Sequence, residues 1–298
     1  MKHIVYDCDN TFGVRNCDVD DGLALLYLLG CKDAIVHGIT STFGNSNIET
    51  VHQTIQKMLK EIGREDITLK RGGNCAGAYQ SEAADYLADM ARKYQGELSI
   101  LATGSLTNIR GAYLQDSKFF ENVKEIVLMG GITEPLIFEK KVMNELNFSC
   151  DPLASLTVLE KGRRVSVITG NNCLKVLFTK EEYKKELFTS DRDIAKYIRE
   201  RTDYWFGYNQ EDYGIQGFYN WDVTAAVYLM HPELFADVKD RYDFSGEDLK
   251  TGYLRASGNG RQECNLPVIL EEQAFKRNIY DTWMNVEMPK RSNMDSTV

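Results

Sequence analysis

His3-Ile4-Val5-Tyr6-Asp7, then Asp20-Asp21-Gly22-Leu23-Ala24-Leu25-Leu26-Tyr27-Leu28-Leu29, then Ala34-Ile35-Val36-His37-Gly38-Ile39: these three stretches, in this order, decide the fold. The outer two are short apolar runs of strand length, and the middle one is an apolar stretch of helix length opened by two acids. The alternation continues along the chain. Further strands are expected at Ile67–Lys70, Leu98–Ala102, Glu125–Met129 and Arg164–Thr169. Helical spacing covers Ile48–Ile62, Glu82–Tyr94, Asn108–Leu114 and Pro152–Glu160. Strand–helix–strand at this rhythm predicts an α/β protein: one open, mostly parallel twisted sheet with helices on both faces, Rossmann-like in layout. The second half is less regular, with a helical pattern from Lys180 to Thr202, an aromatic-rich segment from Tyr204 to Trp221, and a terminal helix from Glu271 to Met284. No linker and no internal repeat interrupts it, so one domain is expected over residues 1–298.

Composition excludes several functions. The 35 Lys+Arg against 44 Asp+Glu give a net charge of −9, which opposes sequence-independent nucleic-acid binding and docking on an anionic membrane. No apolar run approaches the roughly 20 residues of a membrane span, and the opening turns acidic too early for a signal-peptide core. Seven cysteines without a CxxC pair fit free thiols in a reducing, cytoplasmic setting. Only four His are present, too few for a His-rich metal site.

In an open parallel sheet, ligands sit beyond the carboxyl ends of the strands. The residues following the expected strands are Asp7 and Asp9; Thr42, Gly44 and Asn45; Thr103 through Asn108; Gly130 and Gly131; and Gly170 through Asn172. All are small, polar or acidic. The first loop carries the strongest signal, because Asp7, Asp9, Asp18, Asp20 and Asp21 crowd together with only Arg15 nearby. Capping of the next helix would account for Asp18, Asp20 and Asp21, but not for Asp7 and Asp9 at the end of a buried strand. Unpaired carboxylates there would raise one another's pKa values. A hard divalent cation, Ca²⁺ or Mg²⁺, relieves that repulsion.

Two families resemble this loop. Val5-Tyr6-Asp7-Cys8-Asp9-Asn10-Thr11 is similar to the DxDxT opening of haloacid dehalogenase-like phosphohydrolases, but the GDxxxD that such enzymes place on the metal is absent. Six blocks in order resemble the inosine–uridine-preferring nucleoside hydrolases. They are Asp7-Cys8-Asp9 with Asp20-Asp21-Gly22; Gly44-Asn45; Ala102-Thr103-Gly104-Ser105-Leu106-Thr107-Asn108; Val127-Leu128-Met129-Gly130-Gly131; Glu145-Leu146-Asn147 through Asp151-Pro152; and Trp221-Asp222-Val223-Thr224.

That resemblance implies Ca²⁺-dependent cleavage of the N-glycosidic bond of ribonucleosides. It implies Ca²⁺ held by Asp9, Asp21, the backbone carbonyl of Thr103 and Asp222, with Asp7 supporting and Asp9 as general base. Asp20, Asn45, Glu145 and Asn147 would hold the ribose hydroxyls, with Met129 beside the sugar. It also implies a small-molecule nucleoside as partner and a homodimer or homotetramer. A nucleoside-binding protein without turnover is the alternative from a different class.

The chain departs from the family in three places. The loop between Asp9 and Asp20 is about seven residues longer, Asn10 to Asn16, which leaves Asp18 as an alternative partner. The segment from Gly131 to Glu145 differs in length. Trp221 stands where the inosine–uridine group has a His that protonates the departing base. A Trp there resembles the purine-specific branch, in which it stacks on the base, so purine nucleosides are expected to be favoured. Tyr79 and the Tyr204–Tyr219 aromatics are candidates for the second wall.

Overall fold

The computed structural model of the protein describes residues 1–257 and 259–289. Eight strands form the central sheet: β1 Lys2–Cys8, β2 Ala34–Ser41, β3 Thr68–Arg71, β4 Leu98–Ala102, β5 Glu125–Met129, β6 Val165–Ile168, β7 Lys239–Tyr242 and β8 Gln262–Asn265. Their order is β7-β8-β6-β5-β4-β1-β2-β3, and only β7 runs antiparallel to its neighbour. Every strand expected from the sequence is present, with ends shifted by at most two residues. The edge pair β7 and β8 was not expected. Lys-Asp-Arg-Tyr and Gln-Glu-Cys-Asn carry too little apolar character to read as strands, and they are tolerated because they lie at the sheet margin.

The main helices are α1 Asp20–Gly30, α2 Ile48–Glu61, α3 Glu82–Lys93, α4 Thr107–Gln115, α5 Pro152–Lys161, α6 Lys180–Phe188, α7 Asp193–Asp212, α8 Trp221–Met230 and α9 Glu272–Trp283. The helical pattern expected over Lys180–Thr202 is two helices. Ser190 and Asp191 interrupt it, with the Ser190 hydroxyl accepting from Arg192 N at 3.3 Å. The second of the two, α7, then continues through the aromatic segment as far as Asp212.

Strand order reverses between β1 and β4: β2 and β3 lie to one side, β5 and β6 to the other. Such a switch point opens a crevice at the strand C-termini. Asp7 is in register with Thr40 of β2 and Ala102 of β4, so the ends of three strands meet there. Two nearly all-buried helices, α1 and α8, pack side by side over this part of the sheet. Both are apolar around almost their whole circumference, as a helix enclosed by other elements must be.

Candidate active site

The N-termini of α1 and α8 converge at the switch point. They bring Asp20, Asp21 and Asp222 so close that one carboxylate oxygen of each lies within 4.8 Å of the others, and all three residues are buried. Capping does not explain these acids: the N-cap position of α1 is Val19, with no side-chain cap. Asp20 instead reaches across and accepts the Asp222 backbone N–H at 3.0 Å. Both positive helix ends point at the cluster and partly offset its charge.

Asp9 lies beneath this trio, fully buried. Its Oδ2 accepts from Asn45 N at 2.6 Å, and the Asn45 amide links Asp9 Oδ1 (3.4 Å) to Asp21 Oδ2 (3.2 Å). Gly44 allows this approach, since a Cβ there would sit 2.0 Å from Asp9 Oδ2. Thr103, at the end of β4, donates its hydroxyl to Asp21 Oδ1 at 2.8 Å. Asp7 is held through Oδ1 by Thr40 (2.5 Å) and Asn108 (2.8 Å), while its buried Oδ2 has no partner among the described residues.

Burial pushes every one of these carboxyls up. Asp7 reaches about 7, against the donated hydrogen bonds of Asn108 and Thr40. Asp9 also reaches about 7, with Asp20 adding repulsion to burial. Asp20 reaches about 6 through burial and Asp21. Asp21 and Asp222 are raised by burial and then by Asp9 and Asp20 respectively. Convergent, desolvated oxygen donors with one orphaned oxygen suit a hard divalent cation. The residues present fit such an ion.

Above the carboxylates lies a cavity of about 260 Å³. Asp20, Asn45, Thr103, Met129, Glu145, Asn147, Trp221 and Asp222 line it; Asp7, Asp9 and Asp21 lie below its floor. The Glu145 carboxylate accepts three backbone N–H groups, from Gly131 (3.0 Å), Phe148 (2.7 Å) and Ser149 (2.9 Å), so it also organises the cavity wall. Asn147 donates to Met129 O at 3.0 Å, fixing those two residues relative to each other.

The longer first loop is a built part of this wall. Phe12 is buried against Gly22, where a side chain would clash at 2.3 Å, and the Tyr204 hydroxyl lies 2.8 Å from Val14 O and 2.9 Å from Cys17 O. The loop thereby places Asn16, Cys17 and Asp18 at the cavity edge. Asp18 stands outside the tight trio, its carboxyl raised by burial and by Asp20.

One face of α7 and the residue that caps it form the remaining wall, with Trp205, Tyr208 and Asn209 on the helix and Tyr213 just past its end, at helical spacing. Trp205 and Tyr208 stack with ring centroids 4.8 Å apart. Sequence reasoning missed Asn209, a buried amide whose nitrogen donates to Trp205 O at 2.9 Å. Its spacing from Trp205 and Tyr213 was the available signal. Tyr79 does not line the cavity: Arg110 lies over its ring at 4.5 Å, and its hydroxyl donates to Asp151 at 3.3 Å. Phe206 and Phe218 pack in the core.

The sequence model described as inosine-uridine preferring nucleoside hydrolase matches residues 4–293. The chain is 24% identical over 266 residues to a probable uridine nucleosidase 1 of Oryza sativa subsp. japonica, covering 79% of this chain and 81% of that one. It is 23% identical over 264 residues to the pyrimidine-specific ribonucleoside hydrolase RihA of Salmonella newport, covering 79% and 82%. Among solved structures, a purine-preferring ribonucleoside hydrolase from Gardnerella vaginalis superposes with a TM-score of 0.83 at 20% identity, covering 96% of this chain and 99% of that one. No helix among the described residues is long and apolar enough to cross a membrane.

Proposed function

Because the chain belongs to the inosine-uridine preferring nucleoside hydrolase family, and so is an enzyme that hydrolyses nucleosides, we propose that it cleaves ribonucleosides to ribose and free base, depends on Ca²⁺, and favours purine bases. The observation that carries this reading is the meeting of Asp20, Asp21 and Asp222 at and just below the floor of a cavity that Trp205, Tyr208, Tyr213 and Trp221 also line. Asp9, Asp21, Asp222 and the Thr103 carbonyl would hold the ion, with Asp7 in support. When bound, it supplies Lewis-acid activation of a water. Asp9 takes the proton of the attacking water as general base. Asp20, Asn45, Glu145 and Asn147 hold the ribose hydroxyls, and Met129 packs beside the sugar. The carboxylate floor stabilises the positive charge that develops on the ribosyl ring as the bond breaks.

No Lys or Arg lines the cavity among the described residues. A phosphomonoester would therefore meet carboxylates without a protein cation, which counts against the haloacid dehalogenase-like alternative. A non-catalytic nucleoside binder is the outcome if binding is found without turnover.

The ribose clamp has a direct consequence. A 2′-deoxynucleoside leaves buried polar groups unpaired, so its kcat/KM is expected to fall roughly 10²-fold or more. Steady-state rates for adenosine and 2′-deoxyadenosine measure this, and equal values would remove the clamp assignment.

Purine preference rests on Trp221, which lines the cavity with its ring 5.1 Å from that of Tyr219. Its face stacks on a purine, and the ring is then protonated by solvent because an indole is no useful acid. Stacking contributes about 1–3 kcal/mol per base, so Trp221→Ala is expected to cost roughly 5-fold to 150-fold in kcat/KM for inosine. The pyrimidine-directed names of the sequence relatives favour a second reading. Faster turnover of uridine than of inosine would establish it and leave nucleoside hydrolysis intact.

A further inference from the structure

Residues 133–144 cross the base end of the cavity as a strap, and we propose that Lys140 and Lys141 are positioning residues that latch this strap onto the C-terminus of α7 and so hold the base-binding wall. The proposal rests on the nucleoside-hydrolysing reading of that cavity.

Both legs of the strap are anchored independently of its tip. At one leg, Thr133 N and Glu134 N donate to Asn171 Oδ1 at 2.7 and 3.3 Å, and the Asn171 amide donates back to Glu134 O at 3.0 Å. At the other, Glu145 is fixed by its three backbone donors. Between them runs a hairpin of only two residue pairs, Leu136 with Met143 and Ile137 with Val142. Leu136 and Met143 line the cavity, whereas Ile137 is 72% and Val142 52% exposed. So short a hairpin does not hold itself together in water.

The end of α7 supplies what is missing. Its last residues are Gln210, Glu211 and Asp212, with no basic residue in the final turn. Two acids at the negative pole of a helix are an unfavourable arrangement by themselves. The hairpin turn corrects it. The Lys140 ammonium donates to Gln210 O at 2.8 Å and Glu211 O at 2.9 Å, and Lys140 N donates to Tyr213 O at 3.2 Å. Lys141 pairs with Asp212 and lies 4.1 Å above the Tyr213 ring. Tyr213, itself one of these contacts, and Asn209, next to Gln210, belong to the cavity wall. The latch therefore ties the strap and the α7 wall to each other without touching the carboxylate floor.

The Lys141–Asp212 ion pair is exposed, and such pairs are weak and salt-sensitive. This latch opens and closes, and its opening widens the base end of the cavity while the ribose end stays built. The test compares wild type, Lys140→Met/Lys141→Met and Lys140→Arg/Lys141→Arg. In the Met pair, KM for inosine is expected to rise about threefold to tenfold, with kcat unchanged or raised where base release limits turnover. Inhibition by free ribose stays at its wild-type strength. Hydrogen exchange over residues 136–143 speeds up in the Met pair and not in the Arg pair. Raising salt from about 0.05 to 0.5 M lifts the wild-type KM toward that of the Met pair and leaves the latter nearly flat. Unchanged KM and exchange, an equal salt response in both proteins, or ribose inhibition weakening in step with KM would overturn the latch. If wild type releases no base from any nucleoside, the functional reading fails, while the exchange contrast still decides the latch.

Discussion

Asp9→Asn is expected to lower kcat by about 10²–10⁴-fold, the usual contribution of a positioned general base, without lowering the thermal stability of the chelated, metal-free protein. The variant removes one charge from a buried group of like charges whose pKa values burial and mutual repulsion already raise. An amide oxygen can still accept the Asn45 N–H that Asp9 Oδ2 now accepts at 2.6 Å. Asp9→Ala differs, because it orphans that buried N–H at a cost of about 1–3 kcal/mol. Rates and melting curves on the two variants separate chemistry from folding. A fully active Asp9→Asn protein would move the base to another residue.

Chelation of divalent cations is expected to abolish turnover and to lower the melting temperature, by an amount that grows with pH. The sign follows from the raised carboxyls: about 7 for Asp7 and Asp9 and about 6 for Asp20, each from an ordinary 3.8. A carboxyl whose pKa is higher in the folded than in the unfolded chain stabilises the fold while protonated. That contribution is complete below about pH 4 and lost as pH rises through 6 to 7. A cation replaces the lost protons, so it matters most at neutral and alkaline pH. At a hundredfold excess over Kd, binding adds about 2.7 kcal/mol, roughly 4 °C in Tm for a chain of this size. Melting curves with and without chelator at pH 5 and pH 8 should diverge only at the higher value. Coincident curves at pH 8 would mean that the carboxylates hold no cation.

The parts of the site that chain order places together were legible in the sequence. β4 and β5 fall at Leu98–Ala102 and Glu125–Met129, as expected, because strands covered on both faces must be apolar throughout. The strand-end loops then follow from topology alone. What distant segments contribute was harder to see. Asn209 reaches the cavity only because α7 runs unbroken past Tyr204, and a helix-period reading stopped at Thr202. The strap hairpin has a Phe138-Glu139-Lys140-Lys141 turn without the Gly or Asn that mark tight turns. Its partner is a helix end about 70 residues away in sequence. The long first loop read as an insertion of unknown conformation, since nothing local shows that Phe12 would fill the space left by Gly22. The family blocks located Asp222, but its hydrogen bond to Asp20 joins residues 202 positions apart.

The most direct measurement is the release of reducing sugar and free base from a panel of common ribonucleosides, with and without a divalent-cation chelator. The account predicts ribose and base in equal amounts, inosine ahead of uridine, and loss of both products on chelation with recovery on adding back Ca²⁺. No sugar released from any ribonucleoside in the presence of Ca²⁺, or undiminished release in excess chelator, would contradict it.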